Sequence, residues 1–390
     1  MSYNRVIFEY PTGWIDSNSD SLAHQHIRCL ETLKAAAEEL QFEFNTIKSI
    51  RMGDFAQRYA SNETLLISVH SVGVANNVVR LKESYLPGLY YFDRTGYSGW
   101  AELAYNRDLQ NQACRYDLSN GIEFVEKIKH EKLKNNSSKY GQPSRNNTST
   151  QLLDNTPYVL LALQTSEDLV ASLATVNQLL LAEALAKKIS DFNLTLVIKR
   201  HPLCKDNNVG STIDRLKKRY GCVRISENSI NDLIIDAKAV VTVNSGVGFE
   251  TLIMGVPLIT AGRSDYSFVT KSICNIGDLC DLNSMLVEID RTTICSVIKF
   301  YIEQYCLACG DTEKAKNLLL KWQSEDYSMM HNLHGYNESV LQDAQIYVAN
   351  AENTRRDNLL HSPKTLPEFR FNELFEEVCC RIKNKIFGVL

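Results

Sequence analysis

Short apolar runs alternate along this chain with longer stretches in which apolar residues recur every three or four positions. Residues 5–9 form one such run, and 22–40 carry apolar residues at helical spacing. A second run, 64–69, ends at His70-Ser71-Val72-Gly73, and a third, 89–92, leads into DRTGYSGWAEL. Runs alternating with helical stretches predict strands joined by helical crossovers, hence a parallel sheet. The rhythm breaks at 131–151, EKLKNNSSKYGQPSRNNTSTQ, which is polar, rich in Asn, Ser and Thr, and nearly without large aliphatics. That composition predicts a mobile linker.

A cleaner alternation follows. Strands are predicted at 158–163, 194–199, 222–225, 239–243 and 257–260, and helices at 168–189, 213–220, 230–237 and 249–254. From 292 onward helical spacing dominates, and 373–387 is amphipathic and charged. The whole reads as an α/β chain of two Rossmann-like halves. The first is 1–150, with the linker 131–151 at its end; the second is 151–345; a helical tail, 346–390, closes the chain. In open parallel sheets ligands bind beyond the carboxyl ends of the strands.

A length of 390 residues suits two domains. Forty-two basic and 46 acidic residues give a net charge of −4, which offers no electrostatic footprint for nucleic acid. No uninterrupted apolar segment reaches the roughly 18–20 residues of a membrane span, and MSYNRVIFEYPTG lacks a signal-peptide layout. A cytoplasmic chain is expected. Eleven scattered cysteines, an odd count, fit reduced thiols. Cys306 and Cys309 form a CxxC in a stretch of helical spacing, with no second pair at finger spacing, and are expected to be core thiols. His331 and His334 form an HxxH without a neighbouring carboxylate in a zinc-hydrolase pattern, and no metal is expected there.

The stretch VVTVNSGVGFETLIMGVPLITAG, 240–262, reads as strand, glycine-rich loop, short helix and strand. Gly246 and Gly248 allow tight turns and close ligand approach. The following helix would aim its free N–H groups and dipole at an anion, with Asn244 and Ser245 adding donors. The competing reading is an ordinary helix cap. A second corner, Arg200-His201-Pro202, follows the apolar LTLVIK. Pro202 stiffens it and holds His201 at a strand end, able to donate to an anion or to serve only the structure. Two anion-suited loops in one half suggest a nucleotide-sugar site. Asp232, in ENSINDLIID, reads either as a catalytic carboxylate or, with Ser229 three residues earlier, as part of a capping box.

The segments LPGLYYFDRTGYSGWAEL, LLALQTSEDLVASL, IKRHP and NDLIIDAKAVVTVNSGVGFETLIMGVPLITAG resemble the capsule-polysaccharide-type retaining β-Kdo glycosyltransferases. These enzymes use CMP-Kdo to build capsule linkers and to cap O-antigen chains. The likeness runs from about residue 85 to 262 and is greatest to the Kdo-transferase modules of O-antigen chain-terminating enzymes. Its specific part is the order Gln, His-Pro, Asp-Leu, Ser-x-x-Gly-Phe-Glu. The resemblance implies a GT-B architecture with the donor site mainly in the second half. It implies that His201, Asn244 and Ser245 serve the CMP phosphate region, that Glu250 holds ribose hydroxyls, and that Gln164 lines the donor. It casts Asp232 as nucleophile of a double displacement. Two departures stand out: Thr165 and Ser166 precede Glu167 where relatives carry two acids, and Asp265-Tyr266 stands where a Tyr-x-x-Trp is expected.

Kdo is a 2-keto acid, so its anomeric carbon bears a carboxylate as well as the leaving CMP. Retention needs a protein carboxylate on the face opposite the leaving group, by analogy with retaining glycosidases. Helix N-termini, His201 and Arg200 or Arg263 would compensate the anions. Asp93 and Glu102 are candidates to take the acceptor proton. The implied partners are CMP-Kdo and a saccharide acceptor, lipid-linked at the cytoplasmic face of the inner membrane, with no metal cofactor. A GT-B-fold nucleotide-sugar epimerase and a non-catalytic nucleotide-sugar binding module are the alternatives. The epimerases carry Asp-Ser-Gly-Gly ahead of a Glu pair, whereas this loop has Asn244-Ser245-Gly246-Val247-Gly248 and one Glu.

Overall fold

The computed structural model describes residues 3–11, 21–49, 63–73, 77–144, 156–165, 168–286 and 290–324. The first half contains β1 (Arg5–Pro11), α1 (Ser21–Glu39), β2 (Glu43–Ser49), β3 (Thr64–Val69), β4 (Val78–Glu83), β5 (Leu89–Asp93), α2 (Arg107–Cys114) and α3 (Gly121–Lys134). The second begins with β6 (Tyr158–Ala162), α4 (Gln178–Ile189), β7 (Thr195–Lys199), α5 (Asn207–Arg219), β8 (Val223–Ile225) and α6 (Ile230–Ile235). It continues through β9 (Ala239–Thr242), α7 (Gly246–Met254), β10 (Leu258–Thr260), β11 (Lys271–Ser272) and α8 (Leu282–Met285). Then come α9 (Arg291–Phe300), β12 (Cys306–Ala308) and α10 (Thr312–Ser324).

These strands make two six-stranded sheets, ordered β12-β5-β4-β3-β1-β2 and β11-β10-β9-β6-β7-β8. Every pairing is parallel except β4 with β5 and β5 with β12. TLLISV in β3 and YVLLA in β6 are buried at every position, as central strands covered on both faces must be. Cys29, Leu33, Ala36 and Ala37 form the apolar stripe of α1, which packs with Leu318, Leu319 and Trp322 of α10 over the first sheet. Leu181, Leu185 and Ile189 of α4 do the same for the second sheet.

Four differences from the sequence reading have physical causes. First, 168–189 is not one helix. A 3₁₀ turn, Leu169–Leu173, is followed by extended chain, and α4 starts only where the Asn177 side chain accepts from the N–H groups of Leu179 and Leu180. Second, the chain does not stay in the second half to 345. β12 pairs antiparallel with β5, and α10 packs against the first sheet, so the polypeptide crosses back. Third, YIEQY makes a π-helical turn and Cys306 enters a strand. Its Sγ lies 3.6 Å from Ser84 Oγ, whereas Cys309 Sγ lies 3.5 Å from the Gln25 carbonyl, so the two thiols have separate partners.

Fourth, the first part of the polar stretch 131–151 is folded. Its opening residues complete α3, and Asn136 and Gln142 then bind the start of α6. Asn136 Oδ1 accepts from Ser229 Oγ (2.5 Å) and Asn231 Nδ2 (3.0 Å), and Gln142 Oε1 accepts from the Ile230 N–H (2.9 Å). Polarity here serves hydrogen bonding across the halves. Residues 145–155, the HxxH histidines His331 and His334, and the amphipathic stretch 373–387 lie outside the described residues. Among the described residues no helix is long and apolar enough to cross a membrane.

Candidate functional site

Strand ends of both sheets face one cleft, and its second-half wall is built around the start of α7. Ser245 caps that helix, its Oγ accepting from the Val247 N–H. Behind it, Gln164 and Asn244 lock together. Gln164 Nε2 donates to Asn244 Oδ1 (3.0 Å), and the Asn244 N–H donates to Gln164 Oε1 (3.3 Å). Asn244 also spends its amide donors on the carbonyls of Val170 (2.6 Å) and Arg263 (3.0 Å). It therefore holds the loop in place, and does not offer the ligand a donor. Gly246 and Gly248 leave room for neighbouring side chains, and Gly246 also lines the cleft. A Cβ on Gly246 would sit 3.2 Å from the Tyr85 ring, and one on Gly248 would meet the Tyr266 hydroxyl at 2.4 Å.

The His-Pro corner joins the same wall. His201 Nδ1 accepts from the Leu203 N–H (3.1 Å), so a neutral ring carries its proton on Nε2. Burial pushes its pKa down, opposed by Asp168, and the ring meets Tyr140 edge-on at 4.8 Å. Arg200 lines the cleft with its guanidinium anchored to the Asp206 carbonyl (2.6 Å). Arg263 lies outside the cleft lining. It donates to the Gly99 carbonyl (3.0 Å) and lies over the Tyr105 ring.

Glu250 reaches the cleft but is already engaged. Its Oε1 lies 2.6 Å from Lys132 Nζ of α3, and both side chains are almost completely buried. Burial pushes its carboxyl up, and Lys132 opposes the shift. The expected hold on ribose hydroxyls would compete with this pair.

The three carboxylates expected to be catalytic are outside the cleft lining. Asp93 accepts from five donors: Tyr91 Oη (2.8 Å), Thr95 N (2.7 Å) and Oγ1 (2.8 Å), Gly96 N (3.0 Å) and Glu102 N (3.0 Å). It organises the 93–102 loop and has no lone pair left for an acceptor. Glu102 is buried against Arg94 at 2.6 Å. Asp232 is the third residue of α6, behind the capping Ser229, whose side chain accepts from the Asn231 N–H. Its charge is felt at Tyr158, at the opposite end of β6 from Gln164. The Ser229 cap of the sequence reading is present, and Asp232 lies outside the cleft lining.

The carboxylates that line the cleft are Glu83, Asp168, Glu250 and Asp265. Glu83, at the end of β4, touches His70 Nε2 (2.8 Å), Lys82 Nζ (3.1 Å) and His26 Nε2 (3.5 Å). Burial alone would raise its carboxyl, but His70 and Lys82 outweigh burial and hold it well below the usual range. Asp265 accepts from the Tyr85 hydroxyl (2.7 Å), and burial, aided by Asp93, pushes its carboxyl up to about 7. Asp168 caps the 3₁₀ turn, is exposed, and lies close enough to bias His201, Lys82 and Tyr140. Tyr85 stacks on Phe249 at 5.0 Å and on Tyr301 at 5.7 Å, tying α7 to the first half at the base of the cleft. Lys82, Glu83 and Tyr85 went unread because β4 did, and Lys139 and Tyr140 because they sit in the polar stretch.

Asp265 carries a pH signature. A carboxyl whose folded pKa is raised favours folding below its unfolded value and loses that contribution as pH rises through about 7. Asp265→Asn keeps an acceptor for Tyr85 and removes the titration. The variant should therefore gain about 2 kcal/mol on the wild type between about pH 5.5 and 8.5. Paired denaturation curves at the two pH values measure this; a difference that does not change with pH contradicts it.

Two α/β halves, mostly parallel, with a cleft between their strand ends and an anion-suited helix start on its wall, define a GT-B-type fold. Residues 101–271 match the family model of capsule polysaccharide biosynthesis proteins. Protein FixF of Sinorhizobium fredii is 34% identical over 90 residues, which are 23% of this chain and 21% of that protein, so the match spans about a fifth of its length. Among solved structures, Thermosulfurimonas dismutans KpsC, a beta Kdo 2,7 transferase, is 17% identical with a TM-score of 0.45, over 83% of this chain and 100% of that one. Methanocaldococcus jannaschii UDP-GlcNAc 2-epimerase is 12% identical with a TM-score of 0.36, over 82% and 100%.

Proposed function

We propose that this chain is a glycosyltransferase that moves Kdo from CMP-Kdo to a saccharide acceptor with retention of configuration. The observation that carries the reading is the convergence on one cleft of the Ser245-capped start of α7, His201, and the cations Lys82, Lys139 and Lys199. Such a cleft suits a ligand with more than one negative group, and a CMP-activated sugar acid has two, the phosphodiester and the carboxylate. The match to capsule polysaccharide biosynthesis proteins supports the same class.

In this reading the α7 N–H groups, Ser245 and His201 Nε2 hold the phosphate. A carboxylate attacks the anomeric carbon while the C–O bond to CMP breaks and its electron pair leaves on the phosphate. Asp168 takes this role in place of Asp232, because it lines the cleft, is exposed, and is not closed off by a buried counter-ion as Glu83 and Glu250 are. The acceptor hydroxyl then displaces Asp168 from the other face, its proton passing to solvent water, and the second inversion restores the configuration.

Titration calorimetry tests the phosphate site. CMP should bind, and His201→Ala and Ser245→Ala should each weaken it by roughly 1.5–3 kcal/mol, the worth of a hydrogen bond to a charged group. Unchanged affinity in both variants removes the reading. Phosphate held by helix dipole and side chains departs without a metal, so the transfer rate should be the same in EDTA. A rate lost in chelator and restored by Mg²⁺ or Mn²⁺ contradicts this.

A further inference from the structure

The first-half wall of the cleft holds a positive cluster that the phosphate site does not use. Lys82 projects from β4, fixed by three neighbours: Nζ lies 2.9 Å from His70 Nε2, 3.1 Å from Glu83 Oε2, and 5.3 Å from the centre of the Tyr97 ring. His70 Nε2 faces both that ammonium and a Glu83 oxygen at 2.8 Å, so the ring serves one of them at a time. Burial pulls the His70 pKa down, opposed by Glu83, and Glu83 is the one carboxylate on this wall, shared with His70 and His26. Lys139 enters the same space from the segment after α3. It lines the cleft beside Lys82 and Tyr140, and makes no hydrogen bond or ion pair among the described residues. It is near enough to bias Lys82, Glu83, His70, His26 and, across the cleft, His201.

Two half-buried ammonium groups line the cleft on this wall beside one carboxylate, Glu83, and Asp168 of the second half lies close enough to act on Lys82. Like charges placed together raise each other's energy, and the arrangement is relieved when an anion sits between them. The phosphate cradle at Ser245 lies on the other wall, built from the second half. We infer that Lys82 and Lys139 form a separate carboxylate subsite, which reads the acid group of a sugar acid. The inference rests on the CMP-sugar reading above and deepens it. The phosphate and the carboxylate of one donor would bridge the two walls, the nucleotide held by the second half and the sugar acid by the first. A sugar nucleotide without a carboxylate would leave Lys139 unpaired and would bind as CMP does. An acidic acceptor is the other source of the same group, and the test separates the two.

The probes are CMP, CMP-Kdo and the acceptor, compared by inhibition and initial-rate constants in the wild type and Lys139→Met. Among the described residues Lys139 makes no hydrogen bond or ion pair, so the variant should fold. KM for CMP-Kdo should rise at least tenfold, with the CMP inhibition constant and the acceptor KM within threefold of wild type. Lys139→Glu should be worse and Lys139→Arg near wild type. A rise in acceptor KM with CMP-Kdo unchanged also supports a carboxylate subsite and assigns it to the acceptor. Constants that all stay within threefold overturn the inference. So does a CMP inhibition constant that rises as much as the CMP-Kdo KM, because the lysines then hold phosphate. A wild type that neither binds CMP nor turns over CMP-Kdo fails the donor reading itself and overturns the subsite with it. That failure appears before any variant is made.

Discussion

Asp168→Asn is expected to bind CMP as the wild type does and to transfer Kdo at least about a thousandfold more slowly, the loss typical of a removed nucleophile. The substitution is nearly isosteric. Asn keeps the oxygen that accepts from the Val170 N–H, and the side chain is exposed, so folding should be unaffected. Asp232→Asn is the paired control. That residue sits in the first turn of α6 outside the cleft lining, so its loss should reduce stability by no more than about 1 kcal/mol and leave most of the activity. Mass spectrometry of the wild type with CMP-Kdo and no acceptor should find one added Kdo residue on the peptide containing Asp168. The opposite pattern, an inactive Asp232→Asn and an active Asp168→Asn, returns the nucleophile to α6 and requires that helix to move toward the donor. If both variants stay active, double displacement through either residue is wrong.

Lys132→Met should destabilise the protein by about 3–5 kcal/mol, the typical result of removing one partner from a buried ion pair. The reason lies in what is left behind. Glu250 is 2% exposed, and its ion pair with Lys132 links α3 of the first half to α7 of the second. Without the ammonium the carboxylate must stay charged in a dry site or take up a proton. Its raised folded pKa then means stability that is lost as pH rises, so the loss should be larger at pH 8 than at pH 5 by the linkage relation. Lys132→Met combined with Glu250→Leu should recover most of the stability, because two apolar groups of similar volume leave no charge unpaired. Denaturation midpoints of the single and double variants measure both effects. A single variant as stable as the wild type, or a double variant no better than the single, removes the pair from its structural role. Calorimetry with CMP would also show whether the α7 loop depends on this strut.

The central strands and most helices were legible because their local pattern and their burial coincide. TLLISV at 64–69 is apolar enough to be read as a strand, and it is β3, buried throughout. The loop before Phe249 was also legible, because a Ser cap and a glycine-rich turn into a helix are local features, and α7 begins there. β2, EFNTIKS, and β4, VVRLKE, were not read. Their charged and polar residues lack clean alternation, and pairing with β1 and β3 makes them strands. Losing β4 from the reading meant losing Lys82 and Glu83 from the site. Composition misled at 135–144 in the opposite way. Residues that look like a linker are polar because Asn136 and Gln142 satisfy the backbone and side chains at the start of α6.

By itself the sequence determined the α/β alternation, the two sheets, the Ser245 and His201 corners and the family segment, since each depends on residues close together in the chain. Tertiary structure decided which carboxylates have access to the cleft. Asp93, Glu102, Asp168, Asp232 and Asp265 are chemically alike in a sequence. Their roles separate only when distant residues give Asp93 five donors, set Glu102 against Arg94, put Tyr85 on Asp265, and leave Asp168 open beside His201 and Lys82. A carboxylate's chemistry depends on its solvation and neighbouring charges, and in this chain those come from residues as far as 180 positions away, as between Tyr85 and Asp265.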